Sequence, residues 1–225
     1  MQPQVVTFDA GHTLIELDLE FLARRLGERG VHVEPGALDA AAPAAWRLYD
    51  ELAATADHPW KELMNALLSG AGVMEPKPHV DWLWDQQREH NLWRTPMPGM
   101  VERARDLAGR GVVCAVLSNS EGTLQKLLER IGIADPFRTI IDSGNLPFAK
   151  PDARIFHHTL EVLGLPDARP VHIGDSWSAD VEAALAVGWD AIWYRSRGGA
   201  PGKELNVPIA HDPAEARAAL ATFGL

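Results

Sequence analysis

Residues 4–14 read Gln-Val-Val-Thr-Phe-Asp-Ala-Gly-His-Thr-Leu, an apolar run that turns polar at Asp9. The run Val5–Phe8 combines β-branched and aromatic residues, a pattern typical of a buried strand. Asp9 and Gly11 follow directly and indicate a turn where that strand ends. Because strands covered on both faces occur in parallel sheets, this stretch predicts the first strand of an α/β protein.

Further continuous apolar runs alternate with helical patterns along the rest of the chain. The runs span residues 112–117, 139–141, 170–173 and 191–194, and the helical patterns span residues 100–110, 121–131, 153–163 and 180–187. This alternation predicts a Rossmann-like parallel sheet with helices on both faces. Polar residues follow two of the runs, Ser118 with Asn119 and, after Gly174, Asp175. Ligands of such sheets bind beyond the carboxyl ends of the strands, so we expect the site there.

The stretch from residue 17 to residue 94 interrupts the alternation. It is rich in alanine and predicts helices alone, over residues 19–29, 36–55, 59–69 and 80–93. We therefore expect residues 1–16 and 95–225 to form the core. Residues 17–94 would form a small all-helical cap domain, inserted between the first two strands and covering the strand ends.

The composition narrows the classes of partner. Hydrophobic residues make up 46% of the 225 residues and charged residues 23%, which is ordinary for a soluble globular protein. The longest apolar run is too short to cross a bilayer, and the start of the chain lacks a signal-peptide pattern. With one cysteine, Cys114, no internal disulfide forms, so we expect a cytoplasmic protein with a buried thiol and no membrane partner. A formal net charge of −10 argues against nucleic acid as a partner.

Four short motifs occur in order along the predicted core. They are Phe8-Asp9-Ala10-Gly11-His12-Thr13-Leu14, Leu117-Ser118-Asn119, Lys150-Pro151-Asp152 and Gly174-Asp175-Ser176-Trp177-Ser178-Ala179-Asp180. Together they resemble the four motifs of the haloacid dehalogenase-like superfamily. The position of the helical insert resembles that of the subclass with a cap after the first motif. The resemblance spans nearly the whole core and implies a phosphatase-like hydrolase of small phosphorylated molecules.

The resemblance also implies a nucleophile and a metal site. Asp9 would attack phosphorus and form an aspartyl-phosphate, which divides one difficult displacement into two easier steps. Asp9, the backbone carbonyl of Gly11 and Asp175 would bind Mg²⁺, with Asp180 in support, as the preference of this ion for oxygen ligands requires. The structural alternatives are a turn-capping role for Asp9 and a first-turn helix position for Asp180.

Two residues would bind the phosphate in this scheme. Lys150 would offset the repulsion between Asp9 and the anionic phosphate. Ser118 would donate its hydroxyl to a phosphate oxygen, close to the start of the helix predicted over residues 121–131, whose free backbone amides also favour anions. The alternative for residues 118–120 is a helix N-cap.

Three further residues, Gly11, Asn119 and Trp177, complete the predicted substrate site. Asn119 would contribute through its main chain or hold the loop. Trp177, inside the fourth motif, is a candidate for contact with the substrate or with the cap. Most tryptophans of the predicted insert, which include Trp93, are expected to anchor helix packing.

The first motif departs from the family pattern at Gly11 and His12. Most phosphatases of the family carry a second aspartate at the position of Gly11, which protonates the leaving alcohol and later activates water. Loss of a general acid–base costs about 100- to 10,000-fold, so turnover is the property in question. His12 is the obvious substitute because imidazole titrates near neutral pH. The alternative, which we favour, is a histidine hydrogen-bonded within the loop.

Three other functions stay open at this point. A non-enzymatic phosphate-binding or interaction protein would keep the fold and the metal site. A haloacid dehalogenase would usually carry an aromatic residue at position 11 and need no metal, which Gly11 and the paired aspartates disfavour. A phosphonate hydrolase would need a desolvated cap lysine as a Schiff base. Lys61 lies beside Glu62 and Lys77 lies between prolines, so both are expected to be solvated.

Overall fold

The computed structural model describes residues 4–53, 59–196 and 206–225. It forms two compact units, one made from the segments up to Glu16 and from Trp93 onward, the other from Leu17–Leu92. The second unit therefore ends two residues before the boundary predicted at residue 94, because Trp93 and Arg94 begin a strand.

The described strands of the larger unit build one six-stranded sheet and part of a small second one. In chain order they are β1 (Val5–Phe8), β2 (Ile15–Leu17), β3 (Trp93–Pro96), β4 (Val113–Ser118), β5 (Thr139–Asp142), β6 (Val171–Gly174), β7 (Asp190–Tyr194) and β8 (Ile209–Ala210). The large sheet has the order β5-β4-β1-β6-β7-β8, and its neighbouring strands are parallel. The strand order reverses beside β1, so β1 and β6 flank the switch point at which such folds bind ligands. The predicted Rossmann-like α/β core is confirmed.

Helices cover both faces of the large sheet. In this unit they are α5 (Pro98–Gly109), α6 (Leu124–Arg130), α7 (Ala153–Leu163), α8 (Ala183–Ala186) and α9 (Pro213–Ala221). On one face, Val6 and Phe8 of β1 pack in a buried cluster with α5, α6 and α9. On the other face, α7 and α8 pack against residues such as Leu117 of β4. The continuous apolar runs of the sequence arise because alternate residues of each strand enter two different cores.

The smaller unit is helical. Its helices are α1 (Leu19–Gly27), α2 (Ala37–Ala53), α3 (Trp60–Gly70) and α4 (Lys77–Asp85). Their apolar faces are fully or almost fully buried at residues such as Leu22, Trp60, Leu63 and Leu67. Each helix therefore has the amphipathic character expected of a separate helical core.

Some local expectations were wrong. The helix predicted over residues 80–93 ends at Asp85, and Trp93 instead begins β3, which pairs with β2. The helix predicted over residues 180–187 begins three residues earlier, as the π-helical segment Trp177–Glu182, and continues as α8. β2, β3 and β8 were missed because none of them contains a continuous apolar run of three or more residues.

Cys114 has the environment predicted for it. It lies on β4 and is 1% exposed, and burial raises the pKa of its thiol to about 12. A buried thiol that stays protonated is chemically inert, so its role is to fill the core.

Among the described residues, no helix has the length and apolar character that crossing a membrane requires.

Candidate active site

The carboxyl ends of three adjacent strands bring the predicted polar residues to one edge of the sheet. Asp9 follows β1, Ser118 ends β4, and Asp175 follows β6. Asp9 continues the sheet pairing by one residue, because its backbone N–H donates to the carbonyl of Ile173 at 2.8 Å. The strand therefore holds the Asp9 backbone rigidly where its side chain leaves the sheet.

Lys150 connects this edge through its ammonium group. Nζ donates to Asp9 Oδ1 at 2.8 Å, to the Leu117 carbonyl at 2.8 Å, and to Asp180 Oδ1. Three acceptors match the three protons of an ammonium group, and the side chain is only 2% exposed. Burial lowers the pKa of Lys150, but Asp180 and Asp9 outweigh that effect and raise it above its usual value. Lys150 therefore stays charged.

Asn119 fixes the backbone of Lys150. Its side-chain amide donates to the Lys150 carbonyl, and its side-chain oxygen accepts from the Lys150 N–H, both at 2.9 Å. The Lys150–Pro151 peptide bond is cis. Of the two alternatives considered for Asn119, the geometry favours holding the loop that carries Lys150.

Asp180 accepts hydrogen bonds through both of its carboxylate oxygens. Besides Lys150, its Oδ2 accepts from the Ser176 N–H at 2.9 Å, and its Oδ1 lies 3.2 Å from His172 Nε2. His172 Nδ1 in turn lies 2.8 Å from the Thr7 hydroxyl, so in the neutral ring Nε2 donates to Asp180 and Nδ1 accepts from Thr7. Burial opposes the charge on Asp180, but Lys150 and His172 outweigh it and hold the pKa of Asp180 well below its usual range.

Gly174 makes room for this arrangement. A β-carbon added to Gly174 would lie 2.6 Å from the Asp180 Cβ and closer still to its carboxyl group. Real β-carbons do not approach other atoms this closely. The glycine before Asp175 is therefore needed for the close approach of Asp180 to β6.

Three carboxylates at this edge form a plausible cation site by their chemistry. One oxygen from each of Asp9, Asp175 and Asp180 lies within 4.8 Å of the others. Lys150 forms ion pairs with two of these carboxylates, Asp9 and Asp180. Burial raises the pKa of Asp9, Lys150 opposes this effect and Asp180 reinforces it, so a nearby cation would favour the charged form of Asp9. The oxygen donors fit a hard divalent ion such as Mg²⁺.

The loop after Asp9 is closed by an aromatic contact. A β-carbon added to Gly11 would lie 3.8 Å from Trp93 Cδ1 and 3.9 Å from Asp9 Oδ2. The next residue, His12, has a φ of 55°, in the left-handed region that favours glycine but that histidine also tolerates. Trp93 Nε1 donates to His12 Nε2 at 3.0 Å. Gly11 thus lies beside the Asp9 carboxylate, and the His12 ring is bonded to Trp93.

Comparison with known proteins decides the family. Residues 3–188 match the model of the haloacid dehalogenase-like hydrolases. The chain belongs to this family.

Its relatives include hydrolases with named substrates. This haloacid dehalogenase-like hydrolase is 28% identical over 203 residues to the Bos taurus haloacid dehalogenase-like hydrolase domain-containing protein 3, covering 84% of this chain and 80% of that one. It is 35% identical over 167 residues to a phosphoglycolate phosphatase of Thiobacillus denitrificans, covering 70% and 73%. The fold is similar to that of Bacillus subtilis YfnB, solved bound to magnesium, with a TM-score of 0.71, 19% identity and coverage of 97% and 98%.

The loop after Ser118, between β4 and α6, differs from the sequence expectation. The helix predicted over residues 121–131 begins only at Leu124. Its leading amides are used within the protein, because Gly122 N–H donates to Asp142 Oδ1 at 3.0 Å and Leu124 N–H donates to Oδ2 at 2.9 Å. The expectation that these amides bind the phosphate is therefore wrong for Gly122 and Leu124. Asp142 instead ties the loop after Ser118 to β5.

Trp177 follows β6 and lies beside β7, on the other side of β1 from Ser118. Its ring packs against Trp193 with the ring centres 5.0 Å apart. Trp193 Nε1 donates to the Asp175 carbonyl at 2.9 Å. Trp177 therefore contributes first to an aromatic pair that supports the Asp175 loop, and contact with a substrate stays a prediction.

Three supporting residues of the hydrolase were not identified from the sequence. Asp142 is the last residue of β5, as Ser118 is the last residue of β4, so the rule of polar strand ends would have found it. His172 and Trp93 gave no such signal, because their partners Asp180 and His12 are set by the fold rather than by spacing along the chain.

Gly174→Ala tests the packing of the hydrolase site. The added methyl must displace the Asp180 side chain, which is held by three hydrogen-bond partners, so we expect a loss of about 2 kcal/mol in the free energy of unfolding. Urea denaturation measures it. Gly109→Ala is the matched control, since Gly109 ends α5 and nothing lies within 4 Å of its added β-carbon. Equal stability of the two variants would show that Asp180 needs no space beside β6.

Proposed function

We propose that this protein is a Mg²⁺-dependent hydrolase of small phosphorylated molecules that acts through an aspartyl-phosphate on Asp9. The observation that carries the proposal is the meeting of Asp9, Asp175, Asp180 and Lys150 at the switch point of the sheet. A carboxylate nucleophile, oxygen ligands for a cation and a fixed ammonium are the groups that phosphoryl transfer requires. Phosphatases among the relatives, including phosphoglycolate phosphatase, support the same reaction type.

Asp9 performs the bond-forming step in this proposal. Its Oδ1 accepts from Lys150, and its Oδ2 lies on the side of Gly11. In the first step, Oδ2 attacks phosphorus, the bond between phosphorus and the leaving oxygen breaks, and the leaving oxygen keeps the electron pair. In the second step, water attacks phosphorus, the bond to Oδ2 breaks, and phosphate and free Asp9 result. Lys150 holds the attacking carboxylate in one orientation and reduces its repulsion with the phosphate. Positioning and charge compensation of this kind supply most of the rate enhancement in phosphoryl transfer.

Asp9, the Gly11 carbonyl, Asp175 and Asp180 would hold the metal. Bound Mg²⁺ would neutralise charge on the phosphate oxygens and orient the phosphorus. Ser118, buried at the end of β4, would donate its hydroxyl to a phosphate oxygen. The two hydrogen bonds between the Asn119 side chain and the Lys150 backbone would keep Lys150 in place during both steps.

Proton transfer is the part of the reaction for which the site is least equipped. Position 11 has no side chain to protonate a leaving oxygen. His12 Nε2 accepts a hydrogen bond from an indole N–H, which only donates, so Nε2 carries no proton in this arrangement. This supports a structural role for His12. We infer that the enzyme acts best on esters and anhydrides whose leaving group departs as a stable anion.

The alternatives are separated by particular contacts. Lys61 forms an ion pair with Asp81 at 2.6 Å and its side chain is 43% exposed, so it lacks the desolvated environment that a Schiff-base lysine needs. The convergence of Asp9, Asp175 and Asp180 disfavours a dehalogenase, which needs no metal. A non-enzymatic phosphate-binding protein is the second candidate, and the observation that favours it is Gly11.

Asp175→Ala tests the metal site. Removal of one of three carboxylate ligands should weaken Mg²⁺ binding by at least about 10-fold, as ligand-shell changes commonly do. Isothermal titration calorimetry measures the affinity. Asp167→Ala removes an exposed aspartate elsewhere on the same unit and should leave it unchanged. An Asp175→Ala protein that binds Mg²⁺ as tightly as the wild type would refute the proposed site.

Gly11→Asp tests the missing acid–base. The β-carbon meets only ordinary van der Waals contacts, so the backbone can accept the new side chain. Wild type should hydrolyse an acyl phosphate measurably faster than an alkyl phosphate. The variant should narrow that ratio of kcat/KM by about 10- to 1,000-fold, if the new carboxylate reaches the leaving oxygen.

Gly11→Ala is the matched control, because it adds the β-carbon without a carboxyl group and should leave the ratio as in wild type. Wild-type protein that binds Mg²⁺ and phosphate but hydrolyses neither substrate would favour the non-enzymatic function.

A further inference from the structure

Trp93 and the attacking oxygen of Asp9 face the same point in space. The β-carbon position of Gly11 lies 3.8 Å from Trp93 Cδ1, 4.0 Å from Trp93 Nε1 and 3.9 Å from Asp9 Oδ2. A side chain at position 11 would therefore begin within 4 Å of both the indole and the carboxylate. Because glycine has no side chain, residue 11 leaves this edge of the indole uncovered.

A hydrogen bond fixes the orientation of the Trp93 indole. Trp93 Nε1 donates to His12 Nε2 at 3.0 Å, and the two rings meet nearly at right angles, with centres 5.9 Å apart. Trp93 belongs to β3, whose pairing with β2 holds its backbone. The edge of the indole that contains Cδ1 and Nε1 therefore lies next to Gly11. Trp93 is only partly buried.

We propose that Trp93 determines specificity by selecting phosphate esters with an aromatic leaving group. An aromatic ring beside the phosphate would pack against the indole, and such ring pairs are stabilised beyond simple area burial. The inference deepens the proposed function and rests on its phosphate site. The step it favours is balanced without an acid from the protein. Asp9 Oδ2 bonds to phosphorus, the phosphorus–oxygen bond breaks, and the electron pair leaves on the aryl oxide, which takes its proton from water.

The test measures binding, so that it is independent of turnover. Phenylphosphonate and cyclohexylphosphonate are similar in size, are not hydrolysed by this chemistry, and differ in aromaticity. In the presence of Mg²⁺, calorimetry should show that wild type binds phenylphosphonate about 3- to 10-fold more tightly. Trp93→Leu should abolish this preference, whereas Trp93→Phe, which keeps a ring, should retain most of it.

Trp84→Leu is the control, because Trp84 is a partly exposed tryptophan of α4 and should leave the preference unchanged. Equal affinity of wild type for the two phosphonates would overturn the inference, as would a preference that survives in Trp93→Leu. Circular dichroism establishes whether the variants are folded. If Trp93→Leu does not fold, the affinities of wild type for the two phosphonates still test the inference. A wild type that prefers phenylphosphonate but hydrolyses no phosphate ester would refute the proposed function and leave the role of Trp93 intact.

Discussion

One buried ammonium group organises the candidate site. Lys150 Nζ lies between Asp9 and Asp180, and all three side chains are at most 10% exposed. Buried charges are stable only when they are paired and hydrogen-bonded, and removal of one partner leaves the others uncompensated. The surrounding structure serves this constraint. Asn119 holds the backbone of Lys150 in place, and Gly174 leaves the space that Asp180 needs.

The same electrostatics connect stability to function. Asp9, Asp175 and Asp180 each place a carboxylate oxygen within 4.8 Å of the others. A protein that needed only a stable core would reach it more easily with apolar side chains at these positions. Three converging carboxylates at the switch point of a parallel sheet are better explained by a ligand that they bind. A divalent cation together with a phosphate group would do so, with the cation offsetting the carboxylates and Lys150 facing the phosphate.

Much of this architecture was predictable because it depends on local pattern. Five strands of the large sheet, β1 and β4 to β7, were found as continuous apolar runs, and Asp9, Ser118 and Asp175 were found because polar residues follow three of these runs. Contacts between distant segments were not predictable in this way. Trp93 bonds a residue 81 positions earlier in the chain, and the pairing of His172 with Thr7 spans 165 positions. The apolar and aromatic residues before Trp93 favoured a helix, and only the pairing of β3 with β2 makes that segment a strand.

Gly11 and Trp93 give the site a character different from that of a phosphatase with two aspartates in its first motif. The nucleophile and the charge-compensating groups are in place, while the position of the second carboxylate is bordered by an indole. The proposed function depends above all on transfer of the phosphoryl group to Asp9. The most direct measurement is acid quenching during turnover of an acyl or aryl phosphate with Mg²⁺, followed by peptide mass spectrometry. We expect one phosphoryl group on the peptide that contains Asp9 and none in Asp9→Asn. Turnover without any phosphoryl group on that peptide, at a rate that Asp9→Asn retains, would contradict it.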